Sequence, residues 1–168
     1  GPAPRCQLAV GRGHGKMRAM SASTPRQATL THAGCPLHYV VRGAGEAIVF
    51  LQGVGAQGEA WRPQAEHLAR THRTITIDNR GMGRSTPAAA EISVAQMAED
   101  TRAILDAEGI ARAHVVGHSL GGPVAMQFAL DAPERVASLA LLCTFADGRA
   151  AAPMSLRMFS LGFGSRVG

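Results

Sequence analysis

Two glycine-rich stretches carry the spacings in this chain that could do chemistry. The first is Gly117-His118-Ser119-Leu120-Gly121 within VVGHSLGG, a G-x-S-x-G pattern after an apolar run and before a helical stretch. A strand that turns sharply into a helix strains the backbone of the residue at its apex. Side chains two positions to either side would collide, so both positions take glycine. The geometry lifts Ser119 Oγ above the carboxyl end of the strand as a nucleophile. The N–H of Leu120 then points to where an oxyanion would develop, and the helix N-terminus adds its positive pole. A structural turn with an inert serine is the plainer alternative; the strand–turn–helix context favours the nucleophile.

The second stretch is FLQGVGAQGEAW, residues 50–61, in which Gly53, Gly55 and Gly58 have the spacing G-x-G-x-x-G after the apolar run 47–51. Asp78 lies 20 positions beyond Gly58. Together these have the form of a dinucleotide-binding fingerprint. That reading needs a helix beginning inside the triplet, so that its N-terminus faces a pyrophosphate. Pro63 would then sit in the helix interior, at a cost of about 3 kcal/mol. An extended glycine loop with the helix starting near Trp61 puts Pro63 in the tolerated first turn instead. Dinucleotide binding is therefore the weaker alternative.

The elements around these loops can be placed from their periodicity. Residues 28–32 and 37–42 read as a hairpin with a turn at Gly34 to Pro36. Strand 47–51, a helix from about Arg62 to Arg70, strand 73–78 and the loop NRGMGRSTP, 79–87, follow. Ser93 and Gln96 have the S-x-x-Q form of a capping box. Behind them Val94, Met97, Ala98, Thr101, Ile104 and Leu105 repeat at helical spacing until Gly109. The strand before Ser119, a helix with Pro123 in its first turn, and a last strand over 136–143 complete the series. Alternating strands and helices predict an α/β domain with a mostly parallel sheet and helices on both faces.

From about Ala28 to Thr144 the chain resembles the α/β-hydrolase superfamily, in its esterase, lactonase and peroxidase-like branch with a serine nucleophile. The resemblance rests on GHSLGG, on VFLQGVG after the third strand, and on IDNRGMGRS after the fourth. The last is similar to the family's D-x-R-G-x-G-x-S loop, here Asp78, Arg80, Gly81, Gly83 and Ser85. It implies an α/β-hydrolase sheet with an N-terminal hairpin, Ser119 as catalytic nucleophile, and no cofactor or metal. It further implies an oxyanion hole built from the N–H groups of Leu120 and Val54, with Gly53 as the alternative second donor. The family's usual His-Gly is Gln52-Gly53 in this chain, and Gln52 can donate and accept hydrogen bonds to brace the loop. Asp78 and Arg80 are expected to tie loops together rather than to react. Serine at position 119, where an aspartate would serve dehalogenase or epoxide-hydrolase chemistry, favours acyl transfer to water.

A hydrolase of this kind also needs an acid and a histidine, in chain order Ser, Asp/Glu, His. After Ser119 come only Asp131, Glu134 and Asp147, and all seven histidines lie upstream. Asp147 could orient a base but has none to orient; His118 adjoins the nucleophile and is expected to point away from it. The resemblance therefore implies an N-terminal portion: a disordered extension over 1–26, the first part of a hydrolase domain over 27–148, and the start of a helical cap over 149–168. Such a portion would turn over little substrate by itself. It would also leave strand 136–143 as an apolar edge. A non-catalytic ligand-binding protein on the same scaffold is the second alternative.

Composition excludes other classes. The formal charge is +5, but five basic residues and no acid lie in residues 1–26, and three more follow Asp147. Between them nine basic residues face the 12 acids counting Asp147, so the basic excess sits at the ends and no nucleic-acid footprint is expected. The longest apolar run, VASLALLCTFA, has 11 residues, too few to span a bilayer. Cys6, Cys35 and Cys143 form no paired motif and suit free thiols in a reducing, cytoplasmic setting. A small acyl compound is the expected partner.

Overall fold

The computed structural model describes residues 24–86 and 92–146. The expected cap, Asp147, and all but the last few residues of the expected extension lie outside the described residues. β1 (Arg26–His32) takes in Arg26, whose guanidinium donates to Glu108 at 2.5 Å.

β1 pairs antiparallel with β2 (Cys35–Arg42), with His32 opposite Cys35 across a two-residue turn. Ala33 and Gly34 both have positive φ, 43° and 73°. Two such residues match the hairpin's turn to the twist of its strands. The turn thus falls before Pro36, which lies inside β2 opposite Thr31. Pairing of β2 with the next strand begins only at Tyr39, so a residue without an N–H is tolerated there.

β3 (Ala47–Leu51) leads through the glycine loop and a 3-10 turn at Gly58–Trp61 into α1 (Arg62–Leu68), with Pro63 in the first turn of that helix. β4 (Arg73–Ile77) follows. α2 (Val94–Ala107) is capped by Ser93, whose Oγ accepts the Gln96 N–H at 3.1 Å. The reciprocal half of the capping box is replaced by a Gln96 Nε2 contact to Asp100 at 3.4 Å. Gly109, at φ 65°, lets the chain reverse, and the Ile110 N–H closes the helix on the Leu105 carbonyl at 2.8 Å. β5 (Ala113–His118), α3 (Gly121–Asp131) and β6 (Val136–Leu142) complete the described fold.

The sheet order is β1-β2-β4-β3-β5-β6. β4–β3, β3–β5 and β5–β6 are parallel, whereas the hairpin joins antiparallel, as the alternation of strands and helices implied. Chain order reverses at β3: β4 lies on one side of it and β5 on the other. In open α/β sheets the crevice at the carboxyl ends of such strands is where ligands bind. Side chains alternate between faces. Val49, Leu51, Ile75, Ile77 and Val115 pack with Ile104, Leu105, Val124 and Phe128 of α2 and α3. Ile48 and Phe50 pack on the other face against Ala65, Leu68 and Trp61. β6 is the edge of the described sheet, and its Leu139, Leu141 and Leu142 are exposed. No described helix is long and apolar enough to cross a membrane.

Candidate functional site

The carboxyl end of β5 delivers Ser119 to the switch point of the sheet. Its φ is +51°, in the left-handed region that a non-glycine residue adopts only when its surroundings compel it. The surroundings are visible atom by atom. A Cβ on Gly117 would lie 2.4 Å from the Gly121 carbonyl oxygen, and one on Gly121 would lie 2.2 Å from the Leu51 carbonyl oxygen. Neither position admits a side chain, because the α3 start is pressed against the ends of β3 and β5.

Ser119 is half-buried, and its Oγ has no hydrogen-bond partner among the described residues. Its backbone is fully engaged. The N–H donates to the Leu142 carbonyl at 3.1 Å, and the carbonyl accepts from the Gly122 N–H at 2.9 Å. Thr144 Oγ1 donates to the same carbonyl at 2.7 Å. Thr144 has no sequence signal of its own; it stands just past β6, and only strand pairing brings it to the turn.

The glycine loop after β3 comes up against this serine. A Cβ on Gly53 would lie 3.1 Å from Ser119 Cβ and 3.4 Å from its Oγ, so bare backbone faces the hydroxyl. Leu120, the N-cap residue just before α3, and Val54, next to Gly53, carry backbone N–H groups without an acceptor among the described residues. Gln52 is buried; its Nε2 reaches the Ala56 carbonyl at 3.4 Å, and its own carbonyl accepts from Asn79 Nδ2 at 3.0 Å. It braces the loop from within. His118 packs edge-on against Trp61, with ring centroids 6.2 Å apart, and its Nδ1 would lie 3.5 Å from a Cβ on Gly53. Gln52, Ala56, Ala60, Trp61, Gln64 and His118 line a recess of about 250 Å³ next to the turn.

The 20-residue spacing of Gly58 and Asp78 has a local cause. Asp78 Oδ1 accepts the Gly58 N–H at 2.6 Å, and its Oδ2 accepts the Arg84 N–H at 2.9 Å. Only a single 3-10 turn starts at Gly58, and α1 begins past the triplet at Arg62, so no α-helix starts inside the triplet. The carboxylate joins two loops and is not held out for a ribose. Ser85 Oγ accepts the His38 N–H at 2.8 Å and donates to the Asp78 carbonyl at 2.6 Å, closing the same brace. Burial holds the His38 imidazole below its ordinary 6.5, against the pull of Asp78. Arg80, fully buried, grips Asp100 of α2 with two hydrogen bonds of 2.8 and 2.6 Å and also donates to the carbonyls of Ala33 and His32. Asp78 and Arg80 are thus ties between loops. Among the described residues no group of three His, Cys, Asp or Glu side chains could hold a metal ion.

A family model described as alpha/beta hydrolase fold matches residues 46–165. A protein of Variovorax paradoxus named carbamate hydrolase RutD is 50% identical over 112 residues, 64% of this chain and 42% of that protein. The protein of the same name in Azorhizobium caulinodans is 44% identical over 112 residues, 66% of this chain and 42% of its own. Among solved structures, Est816, described as an N-acyl homoserine lactone degrading enzyme, is 38% identical with a TM-score of 0.68, over 70% of this chain and 45% of that one. Cfl2 of Burkholderia cenocepacia is 31% identical with a TM-score of 0.73, over 84% of this chain and 50% of that one. The chain spans less than half the length of the curated relatives it matches.

Proposed function

The chain belongs to the α/β-hydrolase family, and from that membership we propose that Ser119 is the nucleophile of a hydrolase acting on an ester, lactone or related acyl compound. The observation that carries the proposal is the serine at φ +51°, with a hydroxyl unpaired among the described residues and bare Gly53 backbone opposite. Strain of this kind, over-determined by its neighbours, gathers at functional sites. In the reaction, Ser119 Oγ bonds to the carbonyl carbon and gives its proton to a base. The N–H groups of Leu120 and Val54 hold the oxyanion, Gly53 being the alternative to Val54. Collapse of the tetrahedral species breaks the bond to the leaving alcohol or amine, which takes the proton. Water then repeats the attack on the acyl–serine and restores the hydroxyl. A carbamate and an acyl lactone, the compounds named for two of the relatives, share the reacting feature, a carbonyl bonded to a heteroatom that can leave.

No histidine follows Ser119 in these 168 residues. In the Ser, acid, His order of such hydrolases the base comes after Ser119; we place it outside residues 1–168, which by themselves are expected to hydrolyse little. We place the protein in the cytoplasm, where its free thiols, buried Cys35 and exposed Cys143, stay reduced. The test is labelling of the full-length gene product with a fluorophosphonate, whose fluoride leaves as Ser119 Oγ bonds to phosphorus. A tag on Ser119, absent from S119A, is expected; a folded wild type that takes no tag would refute the nucleophile.

A Ser119 Oγ without a partner among the described residues also favours a second reading, a ligand-binding protein on the hydrolase scaffold in which the hydroxyl only contacts its ligand. Full-length sequence without a histidine beyond the last strand would decide for it.

A further inference from the structure

The G-x-S-x-G spacing accounts for Gly117 and Gly121 but leaves Gly122 unexplained. A Cβ on Gly122 would lie 2.0 Å from Thr144 Oγ1 and 2.5 Å from Thr144 Cβ. Gly122 is the space into which Thr144 fits. The chain turns at Cys143, φ +47°, and half-buried Thr144 reaches back between two exposed neighbours, Cys143 and Phe145. What it reaches is the Ser119 carbonyl, at 2.7 Å, beside the Gly122 N–H at 2.9 Å.

That carbonyl and the Leu120 N–H belong to one peptide group. The group is planar and trans, so the N–H points opposite to the C=O and turns with it. Two donors on the carbonyl fix the plane, and hydrogen bonds to the oxygen polarise the N–H at its far side. We propose that Thr144 is a positioning residue for the oxyanion hole: by gripping the Ser119 carbonyl it aims the Leu120 N–H at the substrate oxygen. Thr144 need touch neither substrate nor Ser119 Oγ. The assignment rests on Ser119 being the nucleophile.

The test compares full-length wild type with T144V, T144S and T144A in ester hydrolysis and fluorophosphonate labelling. Valine keeps the shape of threonine and removes the hydroxyl; serine keeps the hydroxyl. An oxyanion donor acts in the transition state, so its misalignment lowers kcat and spares KM. For T144V the expected drop in kcat is on the order of 10- to 100-fold, with KM within about twofold and the fold intact. T144S is expected to restore kcat. Wild-type kcat in T144V, a change in KM alone, or a T144S as slow as T144V would overturn the assignment. Should T144V not fold, T144A carries the same expectation. Unfolding of both, with T144S folded, would make the hydroxyl a stability element and equally overturn it. A wild type that takes no label removes the nucleophile and this inference together; a labelled wild type with an unimpaired T144V removes only this inference.

Discussion

Asp100→Ala isolates a charge in the interior and has a calculable consequence. Arg80 has no exposed surface, and the Asp100 side chain is 4% exposed. The carboxylate accepts two hydrogen bonds from Arg80, at 2.8 and 2.6 Å, and lies 2.7 Å from His32 Nδ1. Alanine leaves Arg80 with only the Ala33 and His32 carbonyls, at 3.1 and 3.0 Å, and no counter-charge among these contacts. Breaking a buried pair from one side costs about 3–5 kcal/mol. Against a total stability of about 5–15 kcal/mol that is a large share. Urea unfolding of D100A should show it as a lower midpoint at unchanged slope. D100N should be intermediate, since it keeps one acceptor and turns an NH₂ toward the guanidinium. Arg80→Met with Asp100→Leu removes both charges and should cost less than D100A alone, because no ion remains unpaired. A D100A loss below about 1 kcal/mol, or a double variant as damaged as the single one, would refute the idea that an isolated buried charge sets the cost.

Three further outcomes follow from named contacts. Burial pushes the Glu108 carboxyl up, but hydrogen bonds from Arg26 and Tyr39 and the charges of Arg26 and Arg73 outweigh it and hold it below the ordinary 4.5. A folded value below the unfolded one means that the stabilisation is full above pH 4.5 and is lost as pH falls through the folded value; E108Q should flatten that acid limb in a pH series of thermal melts. Gly117→Ala puts a Cβ 2.4 Å from the Gly121 carbonyl, and should cost about 1–3 kcal/mol or more by urea titration while abolishing Ser119 labelling. Gly53→Ala meets Ser119 Cβ at 3.1 Å and Oγ at 3.4 Å; labelling of Ser119 should slow on the order of tenfold while the melting temperature hardly moves.

The parts of the fold that repeat were legible in the sequence. β3, β4, β5 and α2 fall where apolar periodicity put them, because their cores are contiguous in the chain. The glycines around Ser119 were readable because the constraint is local: two backbone segments must touch at a turn. Contacts set by tertiary pairing were not. Gly58 and Asp78 were visible as a pair with the right separation, yet only coordinates reveal that they bond to each other. The hairpin turn fell before Pro36 because β2 has no β4 partner at that position to require its N–H. Thr144 was invisible: its bond to Ser119 spans 25 residues and depends on the register that sets His118 beside Leu142.

The measurement that bears most directly on Ser119 is mass spectrometry of the full-length protein quenched during turnover of a p-nitrophenyl ester. The expected result is one acyl group per chain, on the peptide containing Ser119, which forms with the burst of nitrophenol and disappears as substrate is exhausted. An acyl group on another residue, or hydrolysis that survives in S119A at the wild-type rate, would contradict the assignment.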